Sequence, residues 1–283
     1  MFICGQKKFI EIIDDLVSRD KFPRFSIIVG NAGFGKKVIS EYIANKLGAT
    51  FYPCEISVDS VRNTISSSYA NTQKSLYMFF DCDDMSAASK NALLKVTEEP
   101  PNNAYFIMTV RDISNILPTL ISRGTVFNMN LYTINDIDSF IEYKGYGFDK
   151  KTKQIVYQIC TCPKDVIIAS QVDIKAVYDL ADKFIQYIGQ VSIANELKMT
   201  TQLQIKKDDE SKIDPVLFMR CIMMCCNNYV IDNCSNNDLI DFKNIITETS
   251  KALIELSAKG SNKQMVIDNW IINTHIKLSS GGR

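Results

Sequence analysis

Gly30-Asn31-Ala32-Gly33-Phe34-Gly35-Lys36-Lys37 is the stretch that decides the fold. Its first seven residues fit the phosphate-loop spacing G-x-x-x-x-G-K, and the flanking residues suit that motif. Before it, Ser26–Val29 (SIIV) is a compact apolar run of the buried-strand type. After it, Val38, Ile39, Tyr42, Ile43 and Leu47 recur at helical spacing until Gly48 stops them. The glycines at 30, 33 and 35 let the backbone turn tightly, so that its N–H groups face an anion at the positive end of the helix. Lys36 adds a point charge. A glycine-rich strand-to-helix turn without a ligand is the competing reading, because position 37 breaks the pattern.

That position carries Lys37 where the motif carries Ser or Thr, whose hydroxyl is a magnesium ligand. Magnesium takes oxygen ligands in near-octahedral geometry, so an ammonium group removes one ligand and adds a repelling charge. Asp81, which follows the apolar run Leu76–Phe80 (LYMFF), stands where an acidic metal partner belongs. The next position, where a carboxylate would polarise an attacking water, is Cys82, and a thiol is a poor base for that task. Asp83 and Asp84 are the nearest substitutes, but each sits at a different backbone position. ATP cleavage is therefore expected to be inefficient here, and Lys37 is expected to pair with Asp81 across the site and close it.

Outward from this loop, apolar runs alternate with helical patterns, the signature of a parallel α/β sheet. Leu76–Phe80, Tyr105–Val110 (YFIMTV) and Thr125–Met129 join Ser26–Val29 as expected strands. Ser86 is a suitable N-cap for a helix with Ala88, Ala92, Leu93 and Val96 on one face, ended by Pro100-Pro101. From about residue 131 helices replace strands. Thr133–Tyr143, Lys151–Cys160 and Pro163–Ala169 form a small helical region, and from Lys175 to about Lys277 every long segment suits helices. Lys206–Lys212 (KKDDESK) is expected to be a solvated loop, and Ser279–Arg283 a frayed tail.

The composition limits the function classes. The 283 residues are 46% hydrophobic and 23% charged, enough for two or so domains with sizeable cores. Thirty-two basic and 32 acidic side chains balance to zero, which excludes a chain held to nucleic acid by bulk charge. No apolar run approaches the ~20 residues of a membrane helix, and the start lacks the order of a signal peptide. The nine cysteines read as reduced thiols of a cytoplasmic chain. Cys160-x-Cys162 and Cys221, Cys225, Cys226 lack the C-x-x-C spacing of a zinc knuckle and read as packing, as does Trp270 beside Val266, Ile267 and Ile271. No catalytic triad forms around the sole histidine, His275, and no metal site is expected.

Asn91–Pro101 (NALLKVTEEPP) resembles the NALLK-x-x-EEPP segment of the clamp-loader subunits among the AAA+ proteins, which open sliding clamps and place them on primed DNA. Leu117–Gly124 (LPTLISRG) resembles the box of that family that ends in serine, arginine and cysteine. Gly5-Gln6 and Ser57–Arg62 (SVDSVR) are similar to its N-terminal signature and to one of its helix starts, and Gly260–Trp270 is weakly similar to its last collar helix. The resemblance implies an α/β P-loop AAA+ core with a parallel sheet, followed by a small helical lid and an all-α collar. Those expectations place the core at 1–130, the lid at 131–174, the collar at 175–278 and a disordered tail at 279–283.

Within the family the likeness is greatest to the delta-prime type, which does not hydrolyse ATP but gives an arginine to a neighbour's site. The resemblance puts that arginine at Arg123, with Ser122 positioning it. It puts Lys164 where active subunits carry a nucleotide-sensing lid arginine; lysine keeps the charge and loses the bidentate fork. Gly124 departs from the family's cysteine. The zinc module of many bacterial members has no counterpart, since only Cys54 falls between residues 48 and 80. The implied cofactor is ATP or ADP on Gly30, Gly33, Gly35, Lys36, Lys37, Asp81 and Lys164, without well-coordinated magnesium and without zinc. The implied partners are other clamp-loader subunits, a sliding clamp and primer–template DNA. An active motor subunit with Asp83 or Asp84 as base, and a stand-alone P-loop kinase for a small molecule, are the alternatives.

Overall fold

The structure, a computed structural model, describes residues 2–200, 213–232, 236–258 and 260–280. It divides into two compact units, Met1–Phe140 with Cys162–Lys164, and Ile141–Thr161 with Asp165–Arg283. The 131–174 segment expected as a separate lid is shared between the two.

The first unit holds a five-stranded sheet of β1 (Phe25–Val29), β2 (Thr50–Cys54), β3 (Ser75–Phe79), β4 (Ala104–Val110) and β5 (Thr125–Asn128). All neighbours are parallel, in the order β2-β3-β4-β1-β5. Helices α1 (Lys7–Ser18), α2 (Lys36–Leu47), α3 (Val58–Ala70), α4 (Ala87–Glu98) and α5 (Pro118–Ile121) connect and cover it. Strands β3 and β4 are buried at every residue, as strands covered on both faces must be. Tyr77, Phe79, Phe106 and Met108 pack with Val61, Leu93 and Leu120 on one face. Their alternates Leu76, Met78, Tyr105 and Ile107 pack with Phe9, Ile13, Ile39 and Ile43 on the other.

Strand β2 and helix α1 are additions to the expected elements. β2 is an edge strand with one neighbour, and it contains Pro53, whose missing N–H is tolerated at an edge. Tyr52 on it stacks on Tyr77 at 5.3 Å. Gly5-Gln6, quoted above only as a signature, has a structural task. The Gln6 amide donates to the Asn130 carbonyl at 2.6 Å and accepts the Asn130 N–H at 2.8 Å, tying the start of the chain to the end of β5.

Helix α6 (Ile134–Lys144) begins in the first unit. The second unit is built from α7 (Lys150–Ile159), most of α8 (Pro163–Ala169), α9 (Ile174–Tyr187), α10 (Ile193–Met199), α11 (Pro215–Asp232), α12 (Asn236–Ser257) and α13 (Lys263–Ser280). Trp270 is core: its ring stacks on Phe184 at 5.0 Å, and its indole N–H donates to Thr249 Oγ1 at 3.0 Å. Cys221, Cys225 and Cys226 on α11 are fully buried, and burial pushes each thiol up to about 12. Ser279 and Ser280, expected to belong to the tail, fall within α13; residues 281–283, like the Lys206–Lys212 stretch expected as a loop, lie outside the described residues. Among the described residues no helix is long and apolar enough to cross a membrane.

Candidate functional site

The phosphate loop leaves β1 at Gly30, whose N–H donates to the Val110 carbonyl at 3.0 Å and pins the loop to the end of β4. Gly33 and Gly35 adopt φ of 83° and 81°, the left-handed region in which a side chain is strained. A Cβ on Gly33 would also lie 2.7 Å from Cys162 Sγ and 2.8 Å from Lys164 Cβ, so Lys164 does approach the loop. Tyr132 braces it from below: its hydroxyl donates to the Phe34 carbonyl at 2.7 Å, and the two rings meet edge to face. Lys36 opens α2 with its side chain buried, and Nζ donates to the Gly30 carbonyl at 2.6 Å. Burial lowers the Lys36 pKa, while the nearby Asp81 and Asp83 carboxylates oppose that shift. Two left-handed glycines, a helix N-terminus and a buried lysine together fit a bound phosphate.

The expected Lys37–Asp81 pair does not form. Consecutive helical residues point about 100° apart, so with Lys36 turned inward Lys37 turns out. Its Nζ lies 3.9 Å from Glu41 on the same exposed face of α2. The cation that feels Asp81 is Lys36.

Cys82 is fully buried in the core beneath α4; its S–H donates to the Phe79 carbonyl at 3.3 Å, and burial pushes the thiol up to about 12. Asp83 Oδ2 accepts the Arg111 N–H at 2.8 Å, and Oδ1 accepts the Asp112 N–H at 3.1 Å and the Asn115 amide at 3.2 Å. Burial alone would raise its pKa, but these donors outweigh it and hold the carboxyl below its ordinary value. The Arg111 guanidinium lies 3.7 Å from Asp83 and 3.6 Å from Asp84. This donor set does not fit magnesium: position 37 offers no oxygen, Asp83 is engaged by backbone amides, and a guanidinium stands beside Asp84. Among the described residues no group of three or more His, Cys, Asp or Glu side chains is placed to hold a metal ion.

Arg123 follows α5. One of its terminal nitrogens donates to the Thr119 carbonyl at 2.7 Å, and the other pairs with Glu98 Oε1 at the end of α4. Ser122, expected to position it, donates instead to the same Thr119 carbonyl at 3.1 Å. Glu98 is the residue that the sequence reading passed over, although it lies inside the quoted EEPP segment. Gly124 has a packing cause: a Cβ there would lie 2.8 Å from two atoms of the Phe25 ring, so the space of the family's cysteine is filled by an aromatic edge.

Residues 53–133, which include Asp81, Glu98 and Arg123, match the family model described as DNA polymerase III, delta subunit. The chain is also 27% identical over 189 residues to a DNA polymerase III subunit gamma of Buchnera aphidicola subsp. Schizaphis graminum, covering 54% of this chain and 52% of that relative. The chain is thus similar to DNA polymerase III clamp-loader subunits over part of its length. The chain spans about half the length of the Buchnera protein that it matches. The fold agrees with that of two solved structures. A DNA polymerase III gamma subunit-related protein of Thermotoga maritima superposes with a TM-score of 0.51 at 16% identity, over 97% of this chain and 100% of that one. The RuvB Holliday junction branch migration motor of the same organism superposes with a TM-score of 0.53 at 12% identity, over 93% and 87%.

The sole histidine stands apart from these residues in sequence and pairs with a buried acid. His275 Nδ1 lies 3.0 Å from the buried Glu196 carboxylate, which also accepts the Gly189 N–H at 2.7 Å.

Proposed function

We propose that this chain is a delta-prime-type clamp-loader subunit: it does not cleave ATP itself and presents Arg123 to the ATP site of a neighbouring subunit. The observation that carries this reading is Cys82, a buried thiol facing the core where a hydrolysing site needs a carboxylate facing water. Lys37, turned to solvent, and Asp83, saturated by amides, support it. In this reading Gly30–Lys36 still accepts the phosphates of ATP or ADP, without well-ordered magnesium, and Lys164 lies close enough to touch them.

The guanidinium of Arg123 acts on another chain's γ-phosphate, where it stabilises the charge that develops as the phosphoryl group leaves. The working assembly is then a cytoplasmic hetero-oligomer of related subunits acting on a sliding clamp and primer–template DNA, with a lid near 131–174 and a collar near 175–278. Contacts to DNA go to phosphates rather than bases. The test is Arg123→Ala in a reconstituted complex, with ATP turnover followed in the presence of clamp and primed DNA. Turnover at the neighbouring site falls by roughly 10³-fold or more if the arginine acts in trans; unchanged turnover overturns the proposal.

One observation favours a second reading, a gamma-type motor subunit. The likeness to the Buchnera gamma subunit covers just over half of this chain, and Lys36 is retained. In that case the chain hydrolyses ATP when purified alone.

A further inference from the structure

We infer that Glu98 is a positioning residue for Arg123, fixing its guanidinium before a neighbour's triphosphate arrives; the inference rests on the trans-arginine reading above. Two anchors from different parts of the chain hold the fork. Thr119, four residues upstream, takes one terminal nitrogen through its carbonyl, and Glu98, 25 positions away at the last turn of α4, takes the other through its carboxylate. An arginine has five N–H donors, so most of the fork is left to meet an anion. The side chain is about one-third exposed.

The placement of Glu98 is unfavourable for its own helix. A carboxylate in the last turn opposes the macrodipole, whose C-terminal end is negative, and α4 ends there because Pro100-Pro101 cannot continue it. Helix stability therefore gives no reason for an acid at 98, whereas the contact with Arg123 does. A long, flexible arginine held at two points loses less conformational freedom when it meets a phosphate. The carboxylate also neutralises part of the charge on Arg123. Removing Glu98 thus disorders the fork without weakening the attraction for a triphosphate, and an oriented group of that kind shows in kcat rather than in KM.

The experiment uses the reconstituted complex with Glu98→Gln, Glu99→Gln, Arg123→Ala and the Glu98→Gln/Arg123→Ala double variant, measuring kcat and KM for ATP. Thermal unfolding of each variant checks folding, and Glu99→Gln controls for loss of an acid beside the site. The expected result is a kcat lowered about fivefold in Glu98→Gln. Its KM is unchanged or lower, Glu99→Gln is neutral, and the double variant shows no loss beyond that of Arg123→Ala. Wild-type kcat in Glu98→Gln, or an equal further loss in the Arg123→Ala background, overturns the positioning role while leaving the trans arginine intact. If Arg123→Ala itself changes nothing, the trans-arginine reading fails and takes this inference with it.

Discussion

The carboxylate of Asp83 accepts the backbone N–H of Arg111 at 2.8 Å, and the same oxygen lies 3.7 Å from the Arg111 guanidinium. This link between the end of β3 and the end of β4 converts the nearest substitute acid into a structural acceptor. Asp83→Ala should cost about 1.5–3 kcal/mol of stability, the usual worth of hydrogen bonds to a charged group, measured by urea denaturation at pH 7.

The same pair sets a pH dependence. Because the folded pKa of Asp83 lies below its unfolded value, the unfolded chain binds the proton first. The contribution is full above the unfolded value of ~3.9, and it is lost as pH falls from there through the folded value. The stability gap between wild type and Asp83→Ala should be constant from pH 7 to about pH 5 and shrink towards pH 3. A gap that widens on acidification contradicts the assignment.

Gly124→Cys would write the family's residue back into the box. With its Cβ 2.8 Å from the Phe25 ring, the substitution should destabilise by about 1–3 kcal/mol through overpacking. Combining it with Phe25→Leu should recover part of that loss, a coupling that a double-mutant cycle on unfolding free energies detects.

Thiol labelling reads the cysteine assignments. Cys82, Cys221, Cys225 and Cys226 are buried, with each thiol pushed up to about 12, so almost no thiolate exists at pH 8. Mass spectrometry after brief alkylation of the native chain should find these four unmodified, and modified once the chain is unfolded in urea. Rapid native labelling of Cys82 would place it in the pocket rather than in the core.

Four of the five strands were legible in the sequence, and the edge strand β2 was not. β1, β3 and β4 are apolar runs because both faces are covered, and the glycines at 33 and 35 announce a turn that only glycine makes easily. β2 gives no such signal: an edge strand needs one covered face, tolerates Pro53, and reads as irregular chain. The site was legible in its residue types and not in their directions. A motif places Lys36 and Lys37 side by side, but only the helical screw decides that one faces the loop and the other faces Glu41. Likewise EEPP marks the end of a helix, while the partner of Glu98 comes from folding α5 against α4, a non-local fact that spacing does not carry.

The central claim is that this chain's phosphate site is chemically idle. Phosphate release by the purified chain, with saturating ATP and magnesium and with Lys36→Ala as background, tests it most directly. The expected result is a rate equal to that background. Steady magnesium-dependent turnover that Lys36→Ala abolishes would contradict it and make the chain a motor.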